Sequence, residues 1–502
     1  MSSALDAFWE YERALMANDL PTLNRLFLDD PSTLRGDAAG ILVGHAAIGE
    51  FRKGRGGAPA RTIAHVEVVP IDEDAALIIA VTVPASGGRG QQSQLWVRAA
   101  TSDGAGEWRV RAAHVSLPTS AVTSSVWRVV GAPLIAGAPD GPLAGETVAV
   151  KDLYDVAGYA VGAGIPAFLS EGAPVTSNAP AVQALLDAGA AVTGIAQTDE
   201  FAYSIAGRNP HYGTPPNPSV VGGVPGGSSS GPASAVALGQ ASIGLGTDTA
   251  GSIRVPASYQ GLWGLRTTHG AVSCVGILPL AETFDAPGWL TRSSQVLRKA
   301  AAAMLTTHAP AGAFIVAPSL TAQAEPDVQK AFTDFVEDRH ETVELGDAQE
   351  FFLTFRTVQQ AEAWRAHGAW VEAHPGALGD DVAARFALAA AVTPAQEAAA
   401  RADLARLRAK LDDLLGDRVL LVPSASSSAP TVMADAELIE RTRQSTLRMT
   451  AVAGLTGRPA LSVPLLGVPQ PGALLDAPVG LCLVGPRFSE LALIDLGEQL
   501  AR

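Results

Sequence analysis

The chain has 502 residues, a formal net charge of −15 and only two cysteines, Cys274 and Cys482. An acidic balance of this size argues against a nucleic-acid-binding protein, which normally carries a basic face. Two distant cysteines make neither a disulfide framework nor a zinc cluster. With 47% hydrophobic and 17% charged residues, the composition predicts a folded protein of about two to four domains.

The sequence gives no sign of a targeting or membrane segment. Its N-terminal residues are amphipathic and acidic, unlike the basic and then apolar regions of a signal peptide. The longest stretch without charged residues, 209–247, is rich in Gly, Pro and Ser, which does not suit a membrane helix. We therefore expect a cytoplasmic protein that binds neither a membrane nor a nucleic acid.

The beginning of the chain predicts a small α+β domain. One amphipathic helix follows a Ser3 cap, and a second helix starts near Pro21. From Arg61 the pattern becomes strand-like, in the segments TIAHVEVVPI, AALIIAVTV, SQLWVRAA and EWRVRAAHVSL. Helices followed by strands predict helices that pack against a curved antiparallel sheet.

The rest of the chain predicts an α/β domain. Residues 117–142 are rich in Ser, Gly, Pro and Ala and are interpreted as a linker, with domains at 1–125 and 126–502. Apolar runs beyond it predict strands covered on both faces: ETVAVKDLY, AAVTGIAQ, ASIGLGTD, AFIVAP, RVLLVPS, ALSVPLL and VGLCLVG. The clearest helix begins at Thr393 and Pro394, where Gln396 completes a capping box, and continues to Leu415.

Two Gly/Ser-rich segments are the most unusual part of the sequence: VPGGSSSGPA at 224–233 and GTDTAGSIRVP at 246–256. Their glycines permit tight backbone conformations that expose amide groups to an anionic atom, and their serines are candidate nucleophiles. Taken alone, the segments also fit flexible loops or phosphate-binding turns. Neither ends in the Gly-Lys-Ser/Thr of a P-loop.

Lys151 interrupts an apolar predicted strand, where its ammonium must be desolvated or paired. Desolvation lowers the pKa of a lysine and makes the neutral amine available as a base. The alternative is a lysine at a strand end, paired with Asp152 or Asp155. The surrounding sequence leaves both interpretations open.

Together these segments resemble the amidase signature family. The resemblance rests on motifs at 226–231, 246–257 and 261–273, and it extends to 143–152 and to Phe284, Asp285 and Gly288. Two positions depart from the usual pattern, since Ser230 and Ala250 stand where many members have Gly. The segments 199–213, 268–273 and 283–289 are similar to the branch that contains plant indole-3-acetamide hydrolase.

This resemblance implies a Ser–cis-Ser–Lys triad, with Ser252 as nucleophile, Ser228 as the bridging serine after a cis peptide bond, and Lys151 as base. It implies a mixed central sheet with helices on both faces, and no metal or organic cofactor. Backbone amides of four residues are expected to form the oxyanion hole: Thr249, Ala250, Gly251 and Ser252. Asp248 and Arg254 are expected to brace the loops, and Ser229 to support the triad by hydrogen bonding. Phe201 and Tyr203 are candidates either for the acyl pocket or for simple core positions.

Two other hydrolase chemistries fit the sequence less well. Residues 227–231 formally match the Gly-x-Ser-x-Gly elbow of α/β-hydrolases, which would make Ser229 the nucleophile. That elbow follows a strand directly, whereas residues 217–227 are a Pro/Gly-rich stretch. The histidines show no spacing typical of a zinc hydrolase.

The front domain resembles the AtzH-like domain, of cone-shaped, SnoaL-like α+β fold, through motifs at 8–15, 43–45, 51–55, 92–96 and 114–116. The resemblance implies either a role in dimerisation or a concave anion-binding pocket, with five candidate residues: Arg52, Arg55, Arg61, Gln94 and His114. Such domains accompany enzymes of ureide breakdown.

We therefore predict an amidohydrolase that cleaves a linear carboxamide C–N bond through an acyl-enzyme and releases ammonia or an amine. The alternatives are a ureide or carbamate hydrolase and a catalytically silent binding protein. The expected partners are a small amide or urea-like substrate and a second copy of the chain, paired through the front domain.

Overall fold

The structure, a computed structural model, describes residues 3–37, 40–84, 90–100, 106–116, 123–337, 340–470 and 473–502. The chain divides into two compact units. The first comprises Met1–Ser120 together with Pro469–Asp476, and the second comprises Ala121–Val468 together with Ala477–Arg502. The predicted boundary between residues 125 and 126 stays a proposal, because the first unit also includes the distant segment 469–476.

The first unit packs three helices with one sheet. Its helices are α1 (Ala4–Met16), α2 (Leu20–Arg25) and α3 (His45–Arg55). Its strands are β1 (Leu34–Asp37), β2 (Gly40–Val43), β3 (Arg61–Pro70), β4 (Ala75–Pro84), β5 (Gly90–Ala99) and β6 (Glu107–Ser116). Among the described residues they form a six-stranded sheet of order β2-β1-β6-β5-β4-β3, antiparallel except between β1 and β6. The predicted α+β arrangement is confirmed.

Helix α1 begins where the sequence predicts it. The Ser3 hydroxyl accepts a hydrogen bond from the amide of Asp6, and the Asp6 carboxylate accepts one from the amide of Ser3, so the end has a complete capping box. The buried side of the helix, including Phe8 and Tyr11, packs in a core that also contains Phe27 and Trp96.

The second unit contains the remaining strands. They are β7 (Trp127–Ile135), β8 (Thr147–Lys151), β9 (Ala191–Ala196), β10 (Ile243–Asp248), β11 (Trp263–Arg266), β12 (Ala286–Thr291), β13 (Phe314–Val316), β14 (Glu341–Thr342), β15 (Val419–Pro423), β16 (Ala460–Val468) and β17 (Ala477–Val484). In the described part of the chain they form an eleven-stranded sheet of order β14-β13-β15-β17-β16-β11-β12-β10-β8-β9-β7. The sheet is mixed: β8 runs parallel to β9 and β10, whereas β12 runs antiparallel to β10 and β11.

The helices of the second unit cover this sheet. They are α4 (Pro166–Glu171), α5 (Pro180–Asp187), α6 (Ser230–Ala237), α7 (Arg254–Gln260), α8 (Ser294–Met304), α9 (Pro318–Thr321), α10 (Pro326–Val336), α11 (Ala348–Ala373), α12 (Asp380–Ala390), α13 (Pro394–Leu415), α14 (Ala436–Thr456) and α15 (Glu490–Leu500). Helix α13 has the predicted limits and the predicted capping box between Thr393 and Gln396. The architecture confirms the predicted α/β fold with a mixed sheet. Within the described ranges, none of the helices combines the length and apolar character needed to cross a membrane.

The predicted linker at 117–142 is wrong over part of its length. Strand β7, Trp127–Ile135, pairs antiparallel with β9 at the edge of the large sheet. Val126 and Trp127 are buried there. The prediction failed because a short apolar run is enough to form one edge strand, even inside a Gly/Pro/Ser-rich stretch. Residues 117–122 lie outside the described residues.

Candidate active site

Lys151 lies at the end of β8, where two neighbouring strands finish together. Strands β8 and β10 run parallel, with Val150 opposite Leu245, so the end of β10 brings Thr247 next to the lysine. The Lys151 side chain is fully buried. Its Nζ donates to the Ser228 hydroxyl at 2.7 Å and to the Thr247 hydroxyl at 2.9 Å.

This environment changes the acid–base behaviour of Lys151. Burial lowers the pKa of the amine to about 7, although the carboxylates of Asp199, Asp285 and Asp248 act in the opposite direction. The alternative pairing with Asp152 is not the observed one, because the Asp152 carboxylate faces the guanidinium of Arg128 at 3.0 Å. Near neutral pH, Lys151 therefore has a substantial neutral fraction that can accept a proton.

Three serines meet beside the lysine. The peptide bond between Gly227 and Ser228 is cis, and the amide of Ser229 donates to the Ser252 carbonyl at 3.2 Å. The Ser229 hydroxyl is buried and donates to the Thr247 carbonyl at 3.3 Å. By contrast, the Ser252 hydroxyl makes no hydrogen bond to any residue that the structure describes, which leaves it available to a substrate.

Residues 249–252 form a loop with free amide groups. The amides of Ala250, Gly251 and Ser252 donate to no other group within the described part of the chain, as an oxyanion hole requires. Gly251 has φ of 139°, a conformation that glycine adopts readily and other residues rarely do. The amides of this loop are therefore available as donors to a bound group.

The loop is held from below by a buried ion cluster. Asp248 accepts from the guanidinium of Arg254 at 2.9 Å and lies 3.3 Å from that of Arg266. Burial alone would raise the pKa of Asp248, but Arg254, together with Arg266, holds it well below its usual range. Arg254 also donates to the Thr450 carbonyl at 3.1 Å, and the Thr450 hydroxyl donates to the carbonyl of Ala250.

Asp285 closes the other side of the loop. Its carboxylate accepts from the Thr249 hydroxyl at 2.5 Å and from the amides of Leu280 and Ala281 at 2.9 and 3.0 Å. Burial raises the pKa of Asp285 to about 6, and these hydrogen bonds limit the rise. Asp285 therefore positions Thr249 at the start of the loop.

Ser252 opens into a narrow recess of about 10 Å³ that also contains Tyr203, Thr249 and Arg443. Thr249 is shared with a cavity of 440 Å³, hereafter the apolar cavity. The walls of the apolar cavity are mostly aliphatic and include Leu153, Val272, Ile277, Leu278 and Leu280. The recess and the apolar cavity together offer space for a small organic substrate beside the serine.

Comparison with known proteins shows which family this chain resembles. A family model described as Amidase matches residues 131–354, and one described as AtzH-like matches residues 1–121. Over 403 residues the chain is 34% identical to Amidase 1 of Arabidopsis thaliana. The match covers 72% of this chain and 93% of that protein. The chain belongs to the amidase family. It is accordingly a hydrolase that acts on amides.

Two further matches show the range of this amidase family. The chain is 35% identical over 390 residues to 2-amino-5-chloromuconic acid deaminase of Comamonas testosteroni, which covers 71% of this chain and 81% of that protein. A solved structure of Kluyveromyces lactis allophanate hydrolase superposes with a TM-score of 0.64 at 28% identity, over 72% of this chain and 62% of that one. The amidase and AtzH-like assignments made from the sequence motifs are confirmed.

The two aromatic candidates of this amidase lie in different places. Tyr203 lines the recess beside Ser252. Phe201 instead stacks on His367, with ring centroids 4.2 Å apart, and packs edge-on against Phe168 and Trp370. Phe201 is thus part of an aromatic core that backs the site, and it does not line the recess.

Two of the candidate anion-binding residues of the AtzH-like unit, Arg61 and Arg52, already contact other groups of that unit. Arg61 donates to the Glu12 carboxylate at 2.9 Å. The Arg52 guanidinium lies 4.0 Å from the centre of the Phe27 ring and donates to a backbone carbonyl. His114 is exposed, and the Arg55 side chain lies outside the described part of the structure. These contacts give no support to the anion pocket, which stays a prediction.

Proposed function

We propose that this amidase uses Ser252 as nucleophile, Ser228 as proton relay and Lys151 as base to cleave a linear carboxamide. The observation that carries the proposal is the 2.7 Å contact between Lys151 Nζ and Ser228 Oγ, in a buried site beside the unpaired Ser252 hydroxyl. A neutral lysine and a second serine are what is needed to remove the proton from an attacking serine.

The proposed reaction proceeds in two halves. The Ser252 oxygen attacks the amide carbonyl while its proton passes to Ser228 and the Ser228 proton passes to Lys151. The amides of Ala250, Gly251 and Ser252, with that of Thr249, stabilise the oxyanion. Lys151 returns the proton through Ser228 to the leaving nitrogen, which departs as ammonia or an amine. Water then attacks the acyl-enzyme by the same relay and releases the acid.

Ser229, Asp248 and Arg254 support this machinery without reacting. The Ser229 hydroxyl is occupied by a backbone carbonyl, and the Asp248–Arg254 pair holds the turn that presents Ser252. No metal or organic cofactor takes part in the proposed reaction.

Covalent labelling tests the nucleophile. A fluorophosphonate probe should label the wild-type protein and Ser229→Ala, and should not label Ser252→Ala. Labelling that survives Ser252→Ala and disappears in Ser229→Ala would move the nucleophile to the Gly-x-Ser-x-Gly elbow. A wild-type chain that neither reacts with the probe nor hydrolyses any amide would be a silent binding protein.

A ureide or carbamate hydrolase is the second candidate. It is favoured by the AtzH-like unit and by the structural similarity to an allophanate hydrolase. The apolar cavity, with Leu153, Val272 and Ile277 in its walls, favours instead a small carboxamide with a hydrocarbon part beside the scissile bond. Ammonia release from matched amides, ureas and carbamates separates the two candidates.

The proposal includes a cytoplasmic homodimer. Both cysteines are free, in keeping with a reducing compartment. The face of the first unit's sheet that carries Leu77, Ile79 and Leu95 holds a row of partly exposed apolar side chains, which a second copy can cover.

A further inference from the structure

Arg443 projects from α14 into the recess that contains Ser252. It lines that recess together with Tyr203, and both residues also line a second cavity of 740 Å³, hereafter the arginine cavity. The residue is 9% exposed. A guanidinium this deeply buried is normally satisfied by hydrogen bonds and a counter-charge.

Arg443 is only partly satisfied. One nitrogen, Nη1, donates to the Glu440 carboxylate at 3.1 Å. Its Nε is buried without a hydrogen-bond partner, and its Nη2 donates to no group among the described residues. The Nε and Nη2 hydrogens lie on one edge of the guanidinium, and that edge matches the two oxygens of a carboxylate.

The residues around Arg443 also favour the binding of an anion. Arg356 also lines the arginine cavity, and its Nε has no partner either. Two more arginines, Arg208 and Arg385, also line this cavity, together with three carboxylates: Asp380, Asp381 and Glu440. Asp381 and Glu440 lie 3.1 and 3.6 Å from Arg385, and Glu440 also pairs with Arg443 at 3.1 Å, so the four arginines of this cavity exceed its three carboxylates by one positive charge.

Burial, and the nearby charge of Arg385, lower the pKa of Arg443 to about 10. The guanidinium therefore stays charged at neutral pH, and its Nε–Nη2 edge can donate two hydrogen bonds to an anion.

We propose that Arg443 binds a carboxylate on the acyl part of the substrate, so that the enzyme prefers monoamides of short dicarboxylic acids. This inference rests on the proposed function, because it takes Ser252 as the position of the scissile carbonyl. The recess that Ser252 and Arg443 both line is narrow, so a substrate segment that joins the two groups must be unbranched. Arg356 and Tyr203 also line the arginine cavity and offer further donors.

The test compares substrates that differ only in charge. Monoamides of four- to six-carbon dicarboxylic acids are compared with the corresponding diamides, which replace the carboxylate by a neutral carboxamide of the same shape, and rates are expressed per amide group. The wild-type enzyme should have the higher kcat/KM for one of the monoamides. In Arg443→Met the ratio of the two kcat/KM values should fall by at least about 30-fold, since a charge-assisted bidentate contact is lost.

Matched variants exclude a general structural effect. Arg441→Met removes an exposed arginine from the same helix, two residues away, and should leave the ratio unchanged. Arg443→Lys keeps the positive charge beside Glu440 but lacks the two-pronged edge, so it should also lower the ratio and serves if Arg443→Met does not fold.

The outcomes separate this inference from the proposed function. Suppose that hydrolysis depends on Ser252. If the wild-type enzyme then shows no preference for the monoamide, or if that preference is unchanged in Arg443→Met and Arg443→Lys, the carboxylate site is wrong and the amidase mechanism stands. If no amide is hydrolysed, the proposed function fails. Calorimetry with glutarate then decides the carboxylate site: binding that is lost in Arg443→Met supports it, and no binding to the wild-type chain overturns it.

Discussion

Lys151 is one of only five lysines in the chain, and its side chain is entirely removed from solvent. A lysine in water has a pKa near 10.4 and is protonated at neutral pH. Here burial lowers the pKa to about 7, and the amine faces two hydroxyls at hydrogen-bond distance. The surroundings of this residue therefore prepare it to act as a base.

The pH dependence of the reaction follows from this pKa. The relay needs neutral Lys151, so kcat/KM for an uncharged amide should rise as the pH increases through about 7 and should level off above it. The measurement is a pH profile of kcat/KM between pH 5 and 10, which spans the expected titration. An optimum near pH 5 would contradict lysine as the base.

Removing the amine should have a large effect on kcat. Lys151→Met keeps an unbranched side chain in the buried space but cannot accept a proton, so we expect kcat to fall by roughly 10²–10⁴-fold. Lys299→Met is the matched control, because Lys299 is exposed on α8, and it should retain wild-type kcat. Steady-state ammonia release measures both, and wild-type kcat in Lys151→Met would disprove the role.

In the second unit, the loop at 249–252 depends on the buried cluster between β10, α7 and β11. Asp248 ends β10, Arg254 begins α7 and Arg266 ends β11, and all three side chains are completely buried. The carboxylate compensates two guanidinium groups. Its loss would leave them buried without a counter-charge, which is more costly than losing an exposed pair.

Asp248→Asn should therefore destabilise the fold by about 3–5 kcal/mol, as measured by urea denaturation. Asp334→Asn, which removes an exposed partner of Lys330, should change the free energy of unfolding by less than about 1 kcal/mol. Because the folded pKa of Asp248 is below its unfolded value near 3.9, its contribution should persist above about pH 4 and disappear only as the pH falls further. Equal effects of the two variants would contradict this view of the cluster.

Each of the strands that the sequence predicts lies in a sheet. The strands it misses have physical reasons to be inconspicuous. Strand β12 contains Pro287 and Gly288, residues that weaken a strand. A Cβ atom at Gly288 would lie 1.9 Å from the Leu265 carbonyl of β11, so a glycine is needed for the two strands to approach closely. The same glycine makes the sequence of β12 look less like a strand.

The candidate site was predictable where its residues share contiguous motifs. Ser228, Ser252 and Lys151 belong to segments that the family resemblance covers; the structure places Lys151 Nζ 2.7 Å from Ser228 Oγ, and their roles stay a proposal. Arg443 was missed because it is distant in sequence, on α14, where the surrounding IERTRQSTLRM has the ordinary appearance of a polar helix. Only the packing of α14 beside the recess distinguishes it from an exposed arginine.

At the scale of the whole molecule, the first unit's sheet leads to a prediction about assembly. Ile79 lies next to Leu77 on a face that is only partly covered, and burying such apolar side chains stabilises a dimer. We expect light scattering to give twice the 51.4 kDa mass of one chain. Ile79→Asp should shift the protein toward that single-chain mass.

Met433→Asp is the control for the assembly experiment. Met433 is 85% exposed and lies in the second unit, so its substitution by a charged residue should leave the mass unchanged. A monomeric wild-type chain, or a dimer that persists in Ile79→Asp, would rule out association through this sheet face.

The segment Pro469–Asp476 has a consequence for the order in which the protein matures. It connects β16 to β17, yet it belongs to the first unit, where the Leu474 amide donates to the Ala64 carbonyl at 2.9 Å. Ribosomal synthesis delivers residues in chain order, so the first unit stays incomplete until residues 121–468 of the second unit have been made. The unit whose strands are synthesised first is thus completed only after most of the other unit.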